Sequence, residues 1–265
     1  MTTAGSLRAR EPVRSLWIGP RVSTLERLCI SSFLANGHPF ELYTYGAVEG
    51  LPLGTTVLDA NEILPESEIF LYSHRNSVAG FSNFFRFKLL AERGGWWVDL
   101  DVVCLRPFDF GDDYVFASEM NFDERILSSA AIRVPGGSEF ARYAWGVCQS
   151  KDRSRLVWGE TGPRLVTAGV EVLGLGDYVR SVPTFCPVDY IRWESVLQEG
   201  AVQEFGPDTH AIHLWNEMWR LAGRSKDDAY PEGCLFEALK RRFSGPEAAP
   251  SPEWARTPGR LEKVE

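Results

Sequence analysis

The sequence of 265 residues has few of the features that build disulfide frameworks, zinc motifs or nucleic-acid-binding surfaces. Its five cysteines are odd in number, scattered and never arranged as Cys-x-x-Cys, which indicates reduced thiols. Acidic residues outnumber basic ones by 36 to 28, and the net charge of −8 argues against a nucleic-acid binder, which normally presents a basic face. The composition therefore predicts a protein of a reducing compartment.

Long apolar runs are also missing. No stretch approaches the roughly 18 apolar residues that a membrane-spanning helix needs, and the first 20 residues lack an apolar signal core. We therefore expect a cytoplasmic protein without a membrane span, with peripheral action at a membrane left open. We expect one domain over residues 1–244. The residues from Gly245 onward are rich in Pro, Ala and charge, which predicts a disordered tail over 245–265.

What is present is an alternation of short apolar runs and amphipathic segments. Ser23 and Glu26 form a capping box that predicts the start of a helix, and Gly94-Gly95 predict the end of a second helix that runs over 82–93. Strands are predicted at 13–18, 40–45, 55–58, 96–98 and 130–134, and further helices at 139–148 and from Gly162-Pro163. This order predicts an α/β fold with a mixed, mainly parallel sheet flanked by helices.

The most informative segment is Gly94-Gly-Trp-Trp-Val-Asp-Leu-Asp101. Asp99 and Asp101 follow a predicted strand, and ligands of open α/β sheets collect at the carboxyl ends of the strands. Two carboxylates at this spacing form a hard-oxygen site that suits a divalent cation bound to a diphosphate. Taken alone, an Asp-x-Asp pair is common and both residues could be surface carboxylates. However, a carboxylate pair in an apolar segment repels unless a cation lies between its members.

Two other functions are compatible with the Asp-x-Asp motif and the composition. Asp99-Leu-Asp101-Val-Val satisfies the loose motif of haloacid dehalogenase-type phosphatases, with Asp99 as the nucleophile. That motif normally lies near the start of its domain, and the acidic pair Asp112-Asp113 comes too soon to be the distant metal-binding motif. A non-catalytic protein that binds glycans or sugar nucleotides is the second alternative, because nine tryptophans provide rings for stacking.

The stretch from Ser82 to Asp101 resembles the DXD sugar-binding region of family-32 glycosyltransferases. That family includes fungal mannosyltransferases and is related to the catalytic domains of clostridial glucosylating toxins. Its pattern is Ser-Asp-x-x-Arg followed by Gly-Gly-x-Tyr-x-Asp-x-Asp, and Ser82, Arg86, both glycines and both aspartates match it. Asn83 replaces the Asp that usually contacts the nucleotide sugar and Trp97 replaces the Tyr, which leaves the donor preference in doubt.

Three outlying segments extend the resemblance over roughly residues 13–220. Leu16-Trp17-Ile18-Gly19 is similar to the first strand of the family, whose Trp lies near the nucleotide base. Glu160-Thr-Gly-Pro163 is similar to a segment that opens a helix beside the sugar pocket. The segment from His213 to Trp219 is similar to a C-terminal His-x4-Ser-Trp pattern, with Met218 in the Ser position.

The resemblance implies a GT-A-like single domain that transfers a hexose from a nucleoside diphosphate sugar, a UDP-sugar, to an acceptor hydroxyl with retention. It implies a Mn²⁺ or Mg²⁺ cofactor bound by Asp101 and His213, with Asp99 contacting the donor and reaching the metal through water. Asn216 or Glu217 would share this shell. The acceptor is not identified and could be a growing polysaccharide, a lipid-linked sugar, a small molecule or a protein.

The resemblance also implies a set of donor-binding residues. Trp17 would contact the base or the ribose, and Ser82, Asn83 and Arg86 would lie near the sugar. The set also includes Asp99, Asn216 and Trp219, whose indole N–H would donate to a phosphate oxygen. Glu160 is the candidate for orienting the acceptor hydroxyl. Without the resemblance, simpler interpretations stay open for some of them. His213 and Trp17 could be core residues, Arg86 a helix surface charge, and Glu160 a solvated loop residue.

Overall fold

The computed structural model describes residues 10–72, 75–201 and 205–244. Eight strands are found in these ranges: β1 (Val13–Trp17), β2 (Phe40–Thr44), β3 (Thr55–Asp59), β4 (Gly95–Val98), β5 (Val102–Cys104), β6 (Val115–Asn121), β7 (Glu124–Val134) and β8 (Ala211–His213). Six of them form one sheet in the order β3-β2-β1-β4-β7-β6, and β5 pairs with β8 in a separate ribbon.

The large sheet is mixed and mainly parallel. β1 pairs in parallel with β2 and β4, and β2 pairs in parallel with β3. β7 runs antiparallel to both β4 and β6. The predicted α/β fold, with a mixed, mainly parallel sheet flanked by helices, is therefore confirmed.

The helices of the described ranges are α1 (Thr24–Ala35), α2 (Ala79–Arg93), α3 (Glu139–Ser150), α4 (Pro163–Val172), α5 (Val182–Phe185), α6 (Asn216–Leu221) and α7 (Leu235–Phe243). The predicted capping box is present, since both Ser23 and Glu26 satisfy backbone amides at the start of α1. Gly94 ends α2 at a φ of 61°, a left-handed conformation that glycine tolerates. These local signals placed the helix ends correctly.

The two faces of the sheet are covered by different helices. Successive side chains of a strand point to opposite faces, and the two adjacent tryptophans of β4 show this. Trp97 lies in one hydrophobic cluster with residues of α2, α3 and α4, whereas Trp96 lies in another with residues of α1. Asp99 continues the alternation on the side of Trp97, which directs it toward α2.

Several elements were not predicted, namely β5, β6, β8, α5, α6 and α7. β7 begins six residues before the strand predicted at 130 because its first half pairs with β6 in a hairpin. The tail predicted over 245–265 lies outside the described residues, and the proposed domain limits stay a prediction. Among the helices of the described ranges, none combines the length and the apolar character needed to cross a membrane.

Candidate functional site

Asp99 and Asp101 lie in the turn between β4 and β5, directly after the strand. The backbone N–H of Asp99 still donates to the carbonyl of Ala130 at 2.8 Å, which continues the pairing of β4 with β7. The N–H of Val102 donates to the carbonyl of Asp99 at 3.1 Å and closes the turn. This turn sends the two carboxylates to different neighbours.

The Asp99 carboxylate faces Arg86 in the middle of α2. Its Oδ1 accepts one hydrogen bond from Arg86 Nη2 at 2.5 Å and a second from Trp97 Nε1 at 2.8 Å. The side chain of Arg86 is 3% exposed and that of Asp99 is 30% exposed. A fixed positive charge therefore neutralises Asp99 while part of its carboxylate stays accessible.

Arg86 also organises the neighbouring polar groups. Its Nη1 donates to Asn83 Oδ1 at 2.5 Å, and Asn83 Nδ2 approaches Thr161 Oγ1 at 3.4 Å. A Cβ on Gly162 would approach Asn83 Nδ2 at 3.2 Å and Ser129 Oγ at 3.4 Å, so the backbone of this segment lies close against α2 and β7. The structure thus brings together the Asn83–Arg86 and Thr161–Gly162 segments that the sequence connected only by resemblance.

The Asp101 carboxylate faces the other way, toward β8 and α6. Its Oδ2 accepts the backbone N–H of Asn216 at 2.7 Å and lies 3.2 Å from His213 Nε2. Its own backbone carbonyl accepts the N–H of Leu214 at 2.8 Å. The pairing of Val102 with His213 across the β5–β8 ribbon sets this arrangement. His213 and Asp101, which the resemblance implies as metal ligands, therefore lie in contact.

Burial and charge act in opposite directions on this pair. Burial on its own would raise the pKa of Asp101, but the neighbouring His213 and the Asn216 amide outweigh it and hold the pKa below its usual range. Burial would lower the pKa of His213, but the Asp101 carboxylate outweighs it and raises that pKa well above the usual range. Without a cation the two residues thus form an ion pair.

The residues present fit a divalent cation. Within the part of the chain that the structure describes, the Oδ1 atom of Asp101 is buried and has no hydrogen-bond partner, a condition that costs free energy unless a ligand satisfies the atom. Carboxylate oxygens and an imidazole nitrogen are ligands that divalent metals accept. Because a ligating imidazole must be neutral, binding would displace the proton that His213 carries in the ion pair.

Two residues of this region were missed by the sequence analysis. Glu119 on β6 and Cys186 after α5 are both buried, and their ligand atoms lie within 4.8 Å of one another and of a His213 nitrogen. Neither lies near another candidate in the sequence, and β6 and α5 were not predicted. No local signal could have found them.

The polar groups of two predicted site residues, Glu160 and Trp219, are already bonded to other parts of the protein. The side chain of Glu160 forms an ion pair with Lys151 at 2.7 Å and accepts the N–H of Val157, and the pKa of Glu160 is lowered mainly by the Lys151 bond. Trp219 is fully buried against Trp193, and its indole N–H donates to the Leu214 carbonyl at 2.7 Å. A phosphate contact from Trp219 would require breaking that bond, so this structure gives Trp219 a core role.

The remaining predicted residues lie on β1, α2 and α6. Trp17 ends β1 and is half-buried, and its indole Nε1 is buried without a hydrogen-bond partner among the described residues. Ser82 lies near the start of α2, half-buried and three residues from the first residue of that helix. Asn216 contributes its backbone amide to Asp101, at the start of α6 and directly after the left-handed residue Trp215.

Comparison with known proteins bears on the same segment. Residues 29–120 match the family model described as the glycosyltransferase sugar-binding region containing a DXD motif. The resemblance seen in the sequence is thereby confirmed for this region, which includes Asp99 and Asp101. Trp17, Glu160 and His213 lie outside it.

One similar curated protein is the human alpha-1,4-N-acetylglucosaminyltransferase, which is 21% identical over 188 residues. The match covers 61% of this chain and 52% of that relative, so the chain spans about half the length of the relative.

Two solved structures show a more distant similarity. The PaToxG glycosyltransferase is 14% identical with a TM-score of 0.47, and the match covers 64% of this chain and 71% of that one. A transferase mutant is 10% identical with a TM-score of 0.41, and the match covers 64% of this chain and 91% of that one.

Proposed function

Because residues 29–120 carry the DXD-containing sugar-binding region of glycosyltransferases, we propose that the chain transfers a hexose from a UDP-sugar to an acceptor hydroxyl with the help of Mn²⁺ or Mg²⁺. One observation carries the proposal. The two aspartates of the motif have different partners, and the buried Oδ1 of Asp101 is left without one. Such an oxygen is available to a cation that binds the donor diphosphate.

The cation would be held by Asp101 and His213, with Asp99 nearby and Asn216 or Glu217 completing the shell. When bound, it supplies a Lewis acid that stabilises the negative charge of the departing nucleoside diphosphate. The Asn216 amide keeps Asp101 Oδ2 in place at 2.7 Å, so the orientation of the carboxylate does not depend on the ligand. This preorganisation is what electrostatic stabilisation of a leaving group requires.

The donor sugar would lie beside Arg86, Asn83 and Asp99. Arg86 is fixed by its bonds to the other two side chains, so its guanidinium presents a preset direction for hydrogen bonds. The Nε atom of Arg86 is buried and unpartnered. Ser82 and the indole of Trp17 would extend this surface toward the hydroxyls and the base of the donor.

Retention at the anomeric carbon is supported by the name of the human relative, which describes an alpha-linked product. Transfer from an alpha-linked nucleotide sugar to an alpha product keeps the configuration. We place no nucleophile, and the departing phosphate itself would help to deprotonate the acceptor hydroxyl.

The acceptor would be a glycan, a lipid-linked sugar or a small molecule. A cytoplasmic location, including the membrane periphery, is part of this proposal.

Incubation with UDP-glucose, UDP-galactose and UDP-N-acetylglucosamine, each with Mn²⁺ or with EDTA, tests the proposal directly. We expect donor hydrolysis or transfer that EDTA abolishes. Asp101→Ala should remove it, whereas the exposed Asp208→Ala should not. The proposal would be wrong if no nucleotide sugar in a broad panel were turned over in a metal-dependent way. Hydrolysis of simple phosphomonoesters would favour the phosphatase, and donor binding without turnover would favour the binding protein.

A further inference from the structure

A second group of side chains that can bind a metal surrounds His213, and we call it the inner site. Glu119 comes from β6, Cys186 from the residue after α5, and His213 from the end of β8. The three residues are buried, with relative exposures of 9%, 3% and 8%, and one ligand atom of each lies within 4.8 Å of the others. Three distant segments of the chain thus place a carboxylate, a thiol and an imidazole together.

The imidazole of His213 connects this group with the aspartate pair. Its Nε2 lies 3.2 Å from Asp101 Oδ2, and its Nδ1 lies 3.9 Å from Cys186 Sγ. Histidines that bind metals usually direct their second nitrogen at a carboxylate, which fixes the tautomer and the ring orientation. His213 has this arrangement when Nδ1 is taken as the ligand atom and Asp101 as the orienting carboxylate.

The acidic side chains of this region are not all balanced by basic ones. Asp99 is neutralised by Arg86, and Asp101 is paired with His213. Glu119 has no ion pair with a basic residue within the described ranges. A divalent cation beside Glu119 would supply the missing positive charge.

We propose that Glu119, Cys186 and His213 form an inner cation site for a thiophilic divalent metal such as Zn²⁺ or Co²⁺, separate from the cation position at Asp101. A thiolate and an imidazole select such metals over Mg²⁺ and Mn²⁺. On binding, the Cys186 thiol loses its proton to solvent and Sγ forms the bond to the metal, and Nδ1 of the His213 imidazolium also releases its proton to solvent. His213 binds through Nδ1 and keeps its proton on Nε2, which donates to Asp101.

Occupation of the inner site has a consequence for the donor cation. A neutral imidazole offers one nitrogen lone pair and one N–H. Once Nδ1 holds the inner metal, Nε2 cannot ligate a second cation at Asp101. The inner metal would therefore compete with Mn²⁺ or Mg²⁺ for His213 and inhibit the transferase reaction.

Titration of the full, metal-free chain with Co²⁺, with and without UDP, tests the inner site. We expect a thiolate-to-cobalt charge-transfer absorption band and the release of protons. Cys186→Ala should abolish the band and weaken Co²⁺ binding by at least about 100-fold, which exceeds the upper range for losing an outer-shell partner. Cys148→Ala removes a buried thiol from α3 instead and should keep both. Circular dichroism would verify that each variant is folded.

Glu119→Gln supplies a second variant that does not depend on the loss of sulfur. It should weaken Co²⁺ binding by at least about 10-fold and keep the charge-transfer band. Bound Co²⁺ without a charge-transfer band in the wild-type chain would overturn the inference, as would unchanged affinity in both variants. Metal-dependent turnover of UDP-sugars is measured separately. If it persists while the Co²⁺ experiment fails, only the inner site is refuted.

Zn²⁺ added to a Mn²⁺-supported donor hydrolysis assay gives the functional readout. We expect inhibition that Cys186→Ala relieves, with at least about 100-fold more Zn²⁺ required, in line with the loss of Co²⁺ affinity expected for this variant. Equal inhibition of the wild-type chain and this variant would contradict the competition for His213.

Discussion

The two aspartates of the motif are separated by one residue, yet they have opposite surroundings. Asp99 is held by Arg86 and Trp97, which are close in the sequence and carry a permanent charge and an indole N–H. Asp101 is held by His213 and the Asn216 amide, which are distant in the sequence, and it keeps one buried oxygen without a partner. The first carboxylate is neutralised permanently, and the second only by a group that titrates.

This difference indicates different roles for the two carboxylates. An aspartate whose charge is already balanced by a buried arginine gains little from a cation and is suited to hydrogen bonding. An aspartate balanced by a histidine can exchange the proton of that histidine for a metal ion. Position in the Asp-x-Asp motif alone does not separate these roles, because both residues have the same side chain.

Asp101→Asn provides the largest expected change. The amide keeps the size of the side chain but not the charge needed for a cation. We expect metal-dependent donor turnover to fall by about 100- to 1000-fold, as for the removal of one electrostatic stabiliser. Steady-state kinetics with and without added Mn²⁺ measure the effect. Asp208→Asn is the matched control, and a decrease of similar size in that variant would contradict the assignment.

Arg86→Met tests the Asp99 side of the comparison. It removes a buried cation and leaves Asp99 without its charge partner. We expect a loss of about 2–3 kcal/mol in the free energy of unfolding, less than for a fully buried pair because the Asp99 side chain is 30% exposed. Urea unfolding measures it. Adding Asp99→Asn should recover part of the loss, and a double variant no more stable than the single one would refute the pairing.

The Asp101–His213 pair should make stability depend on pH in the presence of EDTA. The raised pKa of His213 means that its contribution is fully present below about pH 6.5, the usual pKa, and is lost as the pH rises through the folded-state value. The lowered pKa of Asp101 gives a contribution that is present above about pH 3.9 and lost as the pH falls through the folded-state value.

Urea midpoints of the wild-type chain and His213→Gln, measured from about pH 5 to about pH 9, check this sign. The stability advantage of the wild-type chain should shrink toward high pH. An advantage that grew with pH, or that did not change, would show that the two groups are not an ion pair. Replacement of His210, which contacts the Pro107 carbonyl instead of an aspartate, serves as the control.

Glu160→Gln should have the smallest effect. Glu160 is bound to Lys151, and the side chains of the two residues are 27% and 34% exposed, so the pair contributes little to stability. We expect turnover to change by less than about 3-fold, since the loss of such a pair costs on the order of 0.5 kcal/mol. A much larger decrease in turnover without loss of stability would restore Glu160 as an acceptor-orienting residue.

Much of the fold could be predicted from the sequence. The capping box and the glycine pair mark helix ends through hydrogen bonds and backbone conformations within a few residues. The resemblance implied that Arg86 and Asp99 both lie at the donor site, but the ion pair between them is seen only in the structure.

The surroundings of Asp101 could be predicted only in part. Resemblance brought His213 to the site, but the roles of its neighbours depended on packing between distant segments. Trp219 fits the family pattern, yet it packs with its N–H on the Leu214 carbonyl. Glu119 and Cys186 carry no local pattern at all, and only the arrangement of β6, α5 and β8 brings them to His213.

The sequence by itself determined the α/β fold, the helix ends and the Asp-x-Asp motif with its arginine, because each of these depends on residues that interact over a short stretch of chain. Only the tertiary structure decided which carboxylate oxygen lacks a partner, and which side chains surround His213. Asp101 and the Asn216 amide are 115 positions apart, and no periodicity or spacing specifies a contact over that distance. The contact forms when β5 and β8 pair, because polar groups that become buried there need hydrogen-bond partners.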